Sequence, residues 1–547
     1  MSIDSRPQRP SLEPPRFASR NSRSTFSLRS LGHFAALTLA MQVGCAGNNG
    51  QETPGIAGAS PGSAGKPASA GGSGNAGSGT STAGVTSIGG NSVGGANATG
   101  GSLTGGSSAG ASGATSAGGT SSAGSSAGGA LGSGGKAGGT GSAGAPGTAG
   151  GPSGPPGTIN WGKEEDPTAK CPVTTTLPAY AELKADGKLP DPFLKLDGTR
   201  IKDKSEWACR RAEIVKQLAK YIYGEKPIPA KGSVTGTVST TSISVKVTEG
   251  SKTASFSVTV NMNGATAPAP AIISYGAGAS APSGVAKITF TAIEGSGGSG
   301  AKTGPFYTFY GSNHPAGYMV AQAWQVSRII DLLEQNPGVI DPYHIGLTGC
   351  SRNGKGAFAG GVFDNRIALT IPCESGIGGT PALRLKEQLD PGANDSAEWP
   401  YHAISYVRWL SEVALGPFAT GNNAAGDNTD RLPVDMHEAM ALIAPRALYI
   451  VDNPGITNLD PKSAYVTGMA GKAIFTALGV PDNFAYQGAS GSHCVWRSQY
   501  DASLKAMIDK FLLGKDIKTG NFATDLGSKP SETQYYTWDT KELPGKL

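Results

Sequence analysis

The sequence predicts an α/β fold over residues 158–547, with a mainly parallel β-sheet that carries helices on both faces. Three observations support this prediction. Strand-like and helix-like patterns alternate after residue 318, which is typical of parallel sheets. Alternation with a period of two over residues 235–262 indicates antiparallel strands ahead of them. Residues 46–157 are too rich in Gly, Ser and Ala to form a core.

Residues 1–45 have the pattern of an export signal. Several arginines precede an apolar stretch of 11 residues at 34–44, FAALTLAMQVG, which is too short to span a membrane as a helix. The stretch ends at Cys45 and resembles a bacterial lipobox, although Gln42 stands where an aliphatic residue is usual. We therefore expect export, with lipidation of Cys45 as a cell-surface or outer-membrane anchor. Plain secretion is the alternative.

Residues 46–157 form a low-complexity linker that holds 39 of the chain's 83 glycines. This segment has no aromatic residue and only three charged ones, Glu52, Lys66 and Lys136. It cannot bury enough apolar surface to offset its conformational entropy, so we expect a disordered spacer. The organisation is therefore a leader (1–45), a linker (46–157) and one catalytic domain (158–547).

Charge excludes some partners. The chain has 45 basic and 40 acidic residues, and the excess lies in the leader and the linker. The remaining 37 basic and 37 acidic residues of the domain balance, which argues against nucleic acid as a partner. No phosphate-binding loop, dinucleotide fingerprint or metal-ligand spacing is present in the sequence, so we expect neither a cofactor nor a metal.

The elements follow from periodicity and from turn residues. Apolar spacings of three and four predict helices, and short apolar or alternating runs predict strands. The predicted helices are 208–223, 318–335, 353–363, 400–415, 466–478 and 503–513. The predicted strands after the antiparallel region are 270–275, 343–348, 367–371, 447–451 and 483–486.

One junction between a strand and a helix carries a catalytic motif. Residues 349–355, GCSRNGK, place Ser351 in a tight turn flanked by glycine, which resembles the nucleophile elbow of the α/β-hydrolases. The spacing departs from G-x-S-x-G, because Asn353 is the second residue after the serine and Gly354 the third. A turn serine that caps the helix is the alternative.

Two further residues complete a possible triad. Glu374 follows the next strand, and His493 follows the last predicted strand, which gives the order Ser, Glu, His found in this fold. A serine hydroxyl needs a histidine to take its proton, and the histidine needs a carboxylate to hold its tautomer. Asp452, at the end of another strand, is an alternative carboxylate.

The cysteines fit an exported protein with disulfides. Cys350 directly precedes Ser351 and Cys494 directly follows His493, so a disulfide between them is possible if the serine and the histidine meet. The others would be a second pair, Cys171 and Cys209, a free Cys373, and Cys45 for the lipid.

These motifs resemble the glucuronoyl esterases. The resemblance rests on residues 349–355, on 374–379 (ESGIGG) and on His493-Cys494, with 189–193, 197–200 and 443–446 in support. It covers nearly all of residues 158–515 and implies an α/β-hydrolase-like three-layer sandwich. It also implies hydrolysis of the ester between a 4-O-methyl-glucuronoyl group on xylan and a lignin alcohol. The alternatives are another carbohydrate esterase, such as an acetyl xylan esterase, and a non-catalytic surface protein that binds carbohydrate.

The resemblance assigns roles by position. It makes Ser351 the nucleophile, His493 the base and Glu374 the acid, with the Arg352 side chain stabilising the oxyanion. Lys355 would hold sugar hydroxyls together with a Glu and a Gln, for which Glu398 and Gln388 are the candidates. Trp399, beside Glu398, is a further candidate for substrate binding. Asn458 stands near the position of the family's sugar-stacking Trp, a departure that bears on sugar affinity. The implied partners are glucuronoxylan and its lignin esters. We expect the protein to act as a monomer.

Overall fold

The computed structural model describes residues 164–290, 301–389, 398–405, 407–420 and 427–547. The predicted leader, Cys45 and the linker lie outside these residues and stay predictions. No helix in the described ranges combines the length and the apolar character needed to cross a membrane.

The central element is a sheet of ten strands in the described part of the chain. Its order is β1-β2-β3-β5-β4-β6-β7-β8-β9-β10. The strands are β1 (Val234–Val238), β2 (Ser242–Glu249), β3 (Lys252–Asn261), β4 (Ala269–Ser274), β5 (Ala286–Phe290), β6 (Ile340–Cys350), β7 (Leu369–Cys373), β8 (Ala447–Asp452), β9 (Phe484–Gly488) and β10 (Phe522–Thr524). The pairs β1/β2, β2/β3 and β3/β5 are antiparallel, and every other neighbouring pair is parallel.

Helices cover both faces of the parallel part. They are α1 (Trp207–Leu218), α2 (Pro305–Tyr310), α3 (Tyr318–Gln335), α4 (Arg352–Phe363), α5 (Lys386–Leu389), α6 (Pro400–Ser405), α7 (Glu412–Leu415), α8 (Met436–Ala441), α9 (Pro461–Ala477) and α10 (Asp501–Phe511). Helices α3, α4 and α9 pack in one apolar cluster, and α10 packs in a second cluster on the other face. The predicted mainly parallel sheet flanked by helices is confirmed.

Burial distinguishes the two parts of the sheet. Strand β2 alternates between buried and exposed residues, because one of its faces meets solvent. All residues of β7 and β8 are buried, because helices cover both of their faces. Period-two alternation could therefore predict the first strands, whereas the central ones appear in the sequence as short apolar runs.

The register of the central strands positions the site. Cys350 at the end of β6 pairs with Cys373 at the end of β7, and Cys373 pairs with Val451 in β8. The residues that follow these strand ends, Ser351 and Glu374, therefore leave the sheet side by side. This is the edge at which reactive groups of parallel sheets collect.

The predicted single helix over residues 400–415 is wrong. Helix α6 ends at Ser405 and α7 begins at Glu412. In the described residues between them, the carbonyls of Arg408 and Trp409 accept hydrogen bonds from the first N–H groups of α3, at 2.8 and 3.1 Å. A helix start has unpaired N–H groups, and this tertiary pairing outweighs the local helix pattern. Strand β9 is also not the last strand, because the three-residue β10 follows it.

The N-terminal segment is joined to α1 by the disulfide Cys171–Cys209, whose Cα atoms are 5.0 Å apart. Cys171 precedes the described part of the sheet, and Cys209 lies in the first turn of α1. The cross-link therefore fixes the start of the described chain to the domain.

Candidate active site

The turn between β6 and α4 has the geometry of a nucleophile elbow. Ser351 has φ 60° and ψ −128°, a strained conformation for a residue with a side chain. A Cβ atom on Gly349 would lie 2.3 Å from the Asn353 carbonyl oxygen, and one on Gly354 would lie 2.4 Å from the Cys373 carbonyl oxygen. Both glycines are therefore needed for the tight turn, although their spacing differs from the usual motif.

Glu374 lies directly beside this turn, after β7. Its backbone has φ 45°, and its N–H donates to the Val451 carbonyl of β8 at 2.7 Å. The Ser351 N–H in turn donates to the carbonyl of Cys373 at 3.0 Å. Backbone bonds thus hold the serine and the glutamate at the ends of three adjacent strands.

The Glu374 carboxylate is buried and fully engaged, with 2% of the residue exposed. Oε2 accepts from His493 Nδ1 at 2.7 Å, from the Cys494 N–H at 2.9 Å and from Asn453 Nδ2 at 3.3 Å. Oε1 accepts from Arg497 Nη1 at 3.1 Å. Burial by itself raises the pKa of Glu374, but these hydrogen bonds outweigh it and hold the pKa below its usual value.

His493 lies in the loop between β9 and α10, with 33% of its side chain exposed. Because Nδ1 is bonded to Glu374, Nε2 is the ring nitrogen left to exchange a proton with a substrate or a nucleophile. The arrangement matches a carboxylate that fixes the histidine tautomer.

A disulfide joins the turn of Ser351 to the loop of His493. Cys350 and Cys494 are bonded, with their Cα atoms 5.8 Å apart. Their sulfur atoms, one carboxylate oxygen of Glu374 and one ring nitrogen of His493 all lie within 4.8 Å of one another. The sulfur atoms are bonded to each other, so this group is not a metal site. The cross-link ties the residue before Ser351 to the residue after His493.

Lys355 lies one helical turn beyond Ser351 and is fully buried. Its ammonium donates to the Ser375 carbonyl and to Glu398 Oε2, the latter at 2.7 Å. Its Nζ lies 4.4 Å from the centre of the Trp409 ring. Burial outweighs the attraction of Glu398 and holds the pKa of Lys355 below its usual value.

Glycine also makes room for this ion pair. A Cβ atom on Gly376 would lie 2.2 Å from Glu398 Oε2 and 3.0 Å from Lys355 Nζ. Glu398 keeps 18% of its side chain exposed, whereas the Lys355 side chain is fully buried, so Glu398 is the partly exposed member of the pair.

Comparison with known proteins identifies the family. The family model "Glucuronyl esterase, fungi" matches residues 245–479. The 4-O-methyl-glucuronoyl methylesterase of Schizophyllum commune is 37% identical over 385 residues, 68% of this chain and 94% of that protein. The chain belongs to the glucuronoyl esterase family.

Solved structures agree with this assignment. The glucuronoyl esterase catalytic domain from Hypocrea jecorina has a TM-score of 0.60 and 36% identity, covering 67% of this chain and 100% of that one. A mutant of the glucuronoyl esterase from Sporotrichum thermophile, in complex with methyl 4-O-methyl-β-D-glucopyranuronate, has a TM-score of 0.59 and 38% identity. That match covers 64% of this chain and 94% of the mutant's chain.

The alternative acid has a different environment in this family member. The Asp452 side chain is buried and accepts from the Tyr486 hydroxyl at 2.6 Å. Burial raises the pKa of Asp452 to about 6, although the hydrogen bond from Tyr486 lowers it in part. The carboxylate bonded to His493 is that of Glu374.

Two of the expected sugar-binding residues, Gln388 and Trp399, are engaged within the protein. Gln388, in α5, donates its amide to the carbonyls of Gly187 and Arg384 at 2.8 and 3.2 Å, which gives no support to a role beside Glu398. Trp399 is 1% exposed, so its ring has no free face for a sugar. The backbone of Asn458 does meet this region, because its carbonyl accepts from the Glu398 N–H at 3.1 Å.

Arg352 is the first residue of α4, directly after Ser351. Its charge acts on Lys355, where it helps to lower the pKa of that lysine. Sequence analysis missed two side chains around the site, Asn453 and Arg497, and it predicted only a core or groove-wall position for Trp409. Asn453 follows the end of β8, a position that could have suggested it, whereas neither Arg497 nor Trp409 belongs to a recognisable motif.

The two disulfides allow a matched test. Replacing Cys350 and Cys494 by alanine should lower the rate of p-nitrophenyl acetate hydrolysis about tenfold or more, because the loop of His493 is released from the elbow. Replacing Cys171 and Cys209 should leave that rate nearly unchanged.

The free energy of unfolding, measured with urea, should fall in both double variants. The sequence separation of 144 residues predicts a contribution of about 5 kcal/mol from Cys350–Cys494, and the separation of 38 residues predicts about 4 kcal/mol from Cys171–Cys209. Equal losses of rate in both double variants would contradict a local role for Cys350–Cys494.

Proposed function

We propose that this protein is a serine-type carboxylic ester hydrolase that cleaves 4-O-methyl-glucuronoyl esters, including those that link glucuronoxylan to lignin alcohols. The observation that carries the proposal is the hydrogen bond of 2.7 Å between Glu374 and His493, beside a strained serine at an elbow. The relatives named 4-O-methyl-glucuronoyl methylesterases support the choice of substrate.

In the proposed mechanism, the Ser351 hydroxyl attacks the carbonyl carbon of the ester while His493 Nε2 takes its proton. Glu374 stabilises the positive charge on the imidazole. The tetrahedral intermediate then collapses, the bond to the alcohol oxygen breaks, and His493 returns the proton to the leaving alcohol. Water attacks the acyl-enzyme by the same route, releasing the glucuronate and restoring Ser351.

Arg352 is proposed as the oxyanion partner. It directly follows the nucleophile, and its cation would act together with backbone N–H groups at the elbow as negative charge develops on the carbonyl oxygen. No metal or cofactor takes part in this scheme.

Lys355 and Glu398 are proposed to recognise the sugar. The partly exposed Glu398 side chain can accept hydrogen bonds from sugar hydroxyls, and the buried Lys355 holds its carboxylate in place. Trp409, against Lys355, takes part as a packing partner of the ammonium group.

Export fits the two disulfides, which form and persist in oxidising compartments. We further propose that residues 46–157 act as a spacer and that Cys45 carries a lipid. The catalytic domain is proposed to act as a monomer on glucuronoxylan and its lignin esters.

The substrate is tested with benzyl glucuronate and with acetylated xylan. We expect hydrolysis of benzyl glucuronate and none of acetylated xylan. Ser351→Ala should lower kcat for benzyl glucuronate by about four orders of magnitude or more, with an unchanged circular dichroism spectrum. Activity on acetylated xylan alone would instead indicate another carbohydrate esterase. Activity on neither would leave a carbohydrate-binding protein. Either outcome contradicts the proposal.

The acid is tested with two matched amide variants. Glu374→Gln should lower kcat by about three to four orders of magnitude, because the amide cannot stabilise a charged imidazole. Asp452→Asn keeps an oxygen for the Tyr486 hydroxyl and should change kcat only a few-fold. The reverse pattern in steady-state kinetics would assign the role to Asp452.

Sugar recognition is tested with Lys355→Ala. The Michaelis constant for benzyl glucuronate should rise about tenfold or more, with a smaller change in kcat, because the sugar contacts are similar in the ground and transition states. Gln388→Ala is the control, since this exposed amide bonds to Gly187, and its Michaelis constant should match the wild type. An unchanged constant in Lys355→Ala would rule out the role of the pair.

A further inference from the structure

A guanidinium group lies on the side of Glu374 that His493 does not use. Arg497 Nη1 is 3.1 Å from Glu374 Oε1, whereas His493 bonds to Oε2. The Arg497 side chain is 10% exposed, and an ion pair so well shielded is screened little by salt. The carboxylate is therefore held at both oxygens by different partners.

The same guanidinium holds the loop that carries the histidine. Nη2 donates to the carbonyl of Ser492, the residue before His493, at 2.8 Å. Nη1 also donates to the Tyr500 hydroxyl at 2.7 Å. A Cβ atom on Gly491 would lie 2.3 Å from Arg497 Nε, so this glycine leaves room for the guanidinium. Arg497 thus joins the carboxylate directly to the backbone beside the base.

Several titratable groups face Glu374 or lie next to it. They are His493, Arg497, Asp452, Tyr500 and Cys373. Burial raises the pKa of Cys373 and of Tyr500 to about 12, so both are neutral at ordinary pH. Of these five, Arg497 has the permanent positive charge, because a guanidinium does not lose its proton in proteins.

We propose that Arg497 is a positioning residue of the hydrolytic site: it keeps Glu374 ionised, aims Oε2 at His493, and thereby sets the acid limb of the pH–rate profile. This inference rests on the proposed function and deepens it.

The physical basis is a charge-assisted hydrogen bond and a permanent charge. A carboxylate held at both oxygens cannot rotate without breaking one of these bonds, so its hydrogen bond to the imidazole keeps one geometry. Removing the cation favours the protonated form of the Glu374–His493 pair. Protonation then removes the catalytic base at a higher pH than in the wild type, so the acid limb of the pH–rate profile should move to higher pH.

The test compares Arg497→Gln, Arg497→Lys and the control Trp496→Phe. The control removes the 2.8 Å bond from Trp496 Nε1 to Asp501 in the same loop, without a contact to Glu374. Kinetics are measured across pH with a methyl ester of glucuronate and with p-nitrophenyl acetate, and folding is checked by circular dichroism.

Arg497→Gln should lower kcat about tenfold or more, the size expected for one lost bond to a charged group, with KM within about twofold. Its acid limb should move up by about half a pH unit or more. Arg497→Lys should recover most of both effects, because it restores the charge. Trp496→Phe should keep the wild-type kcat and acid limb.

An acid limb that stays in place in Arg497→Gln, or that moves equally in Trp496→Phe, would overturn the inference and leave Arg497 as a loop contact. So would a failure of Arg497→Lys to restore the profile. If the wild type cleaves p-nitrophenyl acetate but no glucuronate ester, the proposed substrate fails. The acetate profile then still decides the role of Arg497.

Discussion

A buried carboxylate imposes the main constraint on this structure. Taking an ionised carboxyl group out of water is costly unless hydrogen bonds replace its hydration. Glu374, 2% exposed, meets this cost with four donors: an imidazole, a backbone N–H, an amide and a guanidinium. Three of them come from one loop, residues 493–497, which therefore has to close over the strand ends. The position of His493 follows from the burial of Glu374.

The parallel sheet and local strain bring the remaining groups together. Cys350 and Cys373 are paired neighbours, so the serine and the glutamate leave adjacent strands at the same edge. Six residues other than glycine have positive φ in the described chain, and three of them are Ser351, Glu374 and Cys494. Strain of this kind persists only where the surroundings fix it. Here strand pairing, glycine contacts and the disulfide Cys350–Cys494 fix it.

Much of this was predictable because the informative signals are local. The elbow, the helix Tyr318–Gln335 and the edge at which the strands end all follow from short-range patterns. The choice between Glu374 and Asp452 was not predictable, because both residues follow buried strands. It depends on the donors that the folded chain brings to each carboxylate. Tyr486 donates to Asp452, and the loop of His493 donates to Glu374. Three other features are likewise tertiary effects. They are the break in the helix predicted over 400–415, the burial of Trp399 and the contact of Arg497 with Glu374.

The most direct measurement of the central claim is covalent labelling with a fluorophosphonate, in which a serine oxygen displaces fluoride from phosphorus. It requires an activated serine and no sugar recognition. The wild type should give a single adduct on the peptide that contains Ser351, and Glu374→Gln should label far more slowly at the same pH. Labelling elsewhere, or equal rates in the wild type and Glu374→Gln, would contradict a hydroxyl activated by the Glu374–His493 pair.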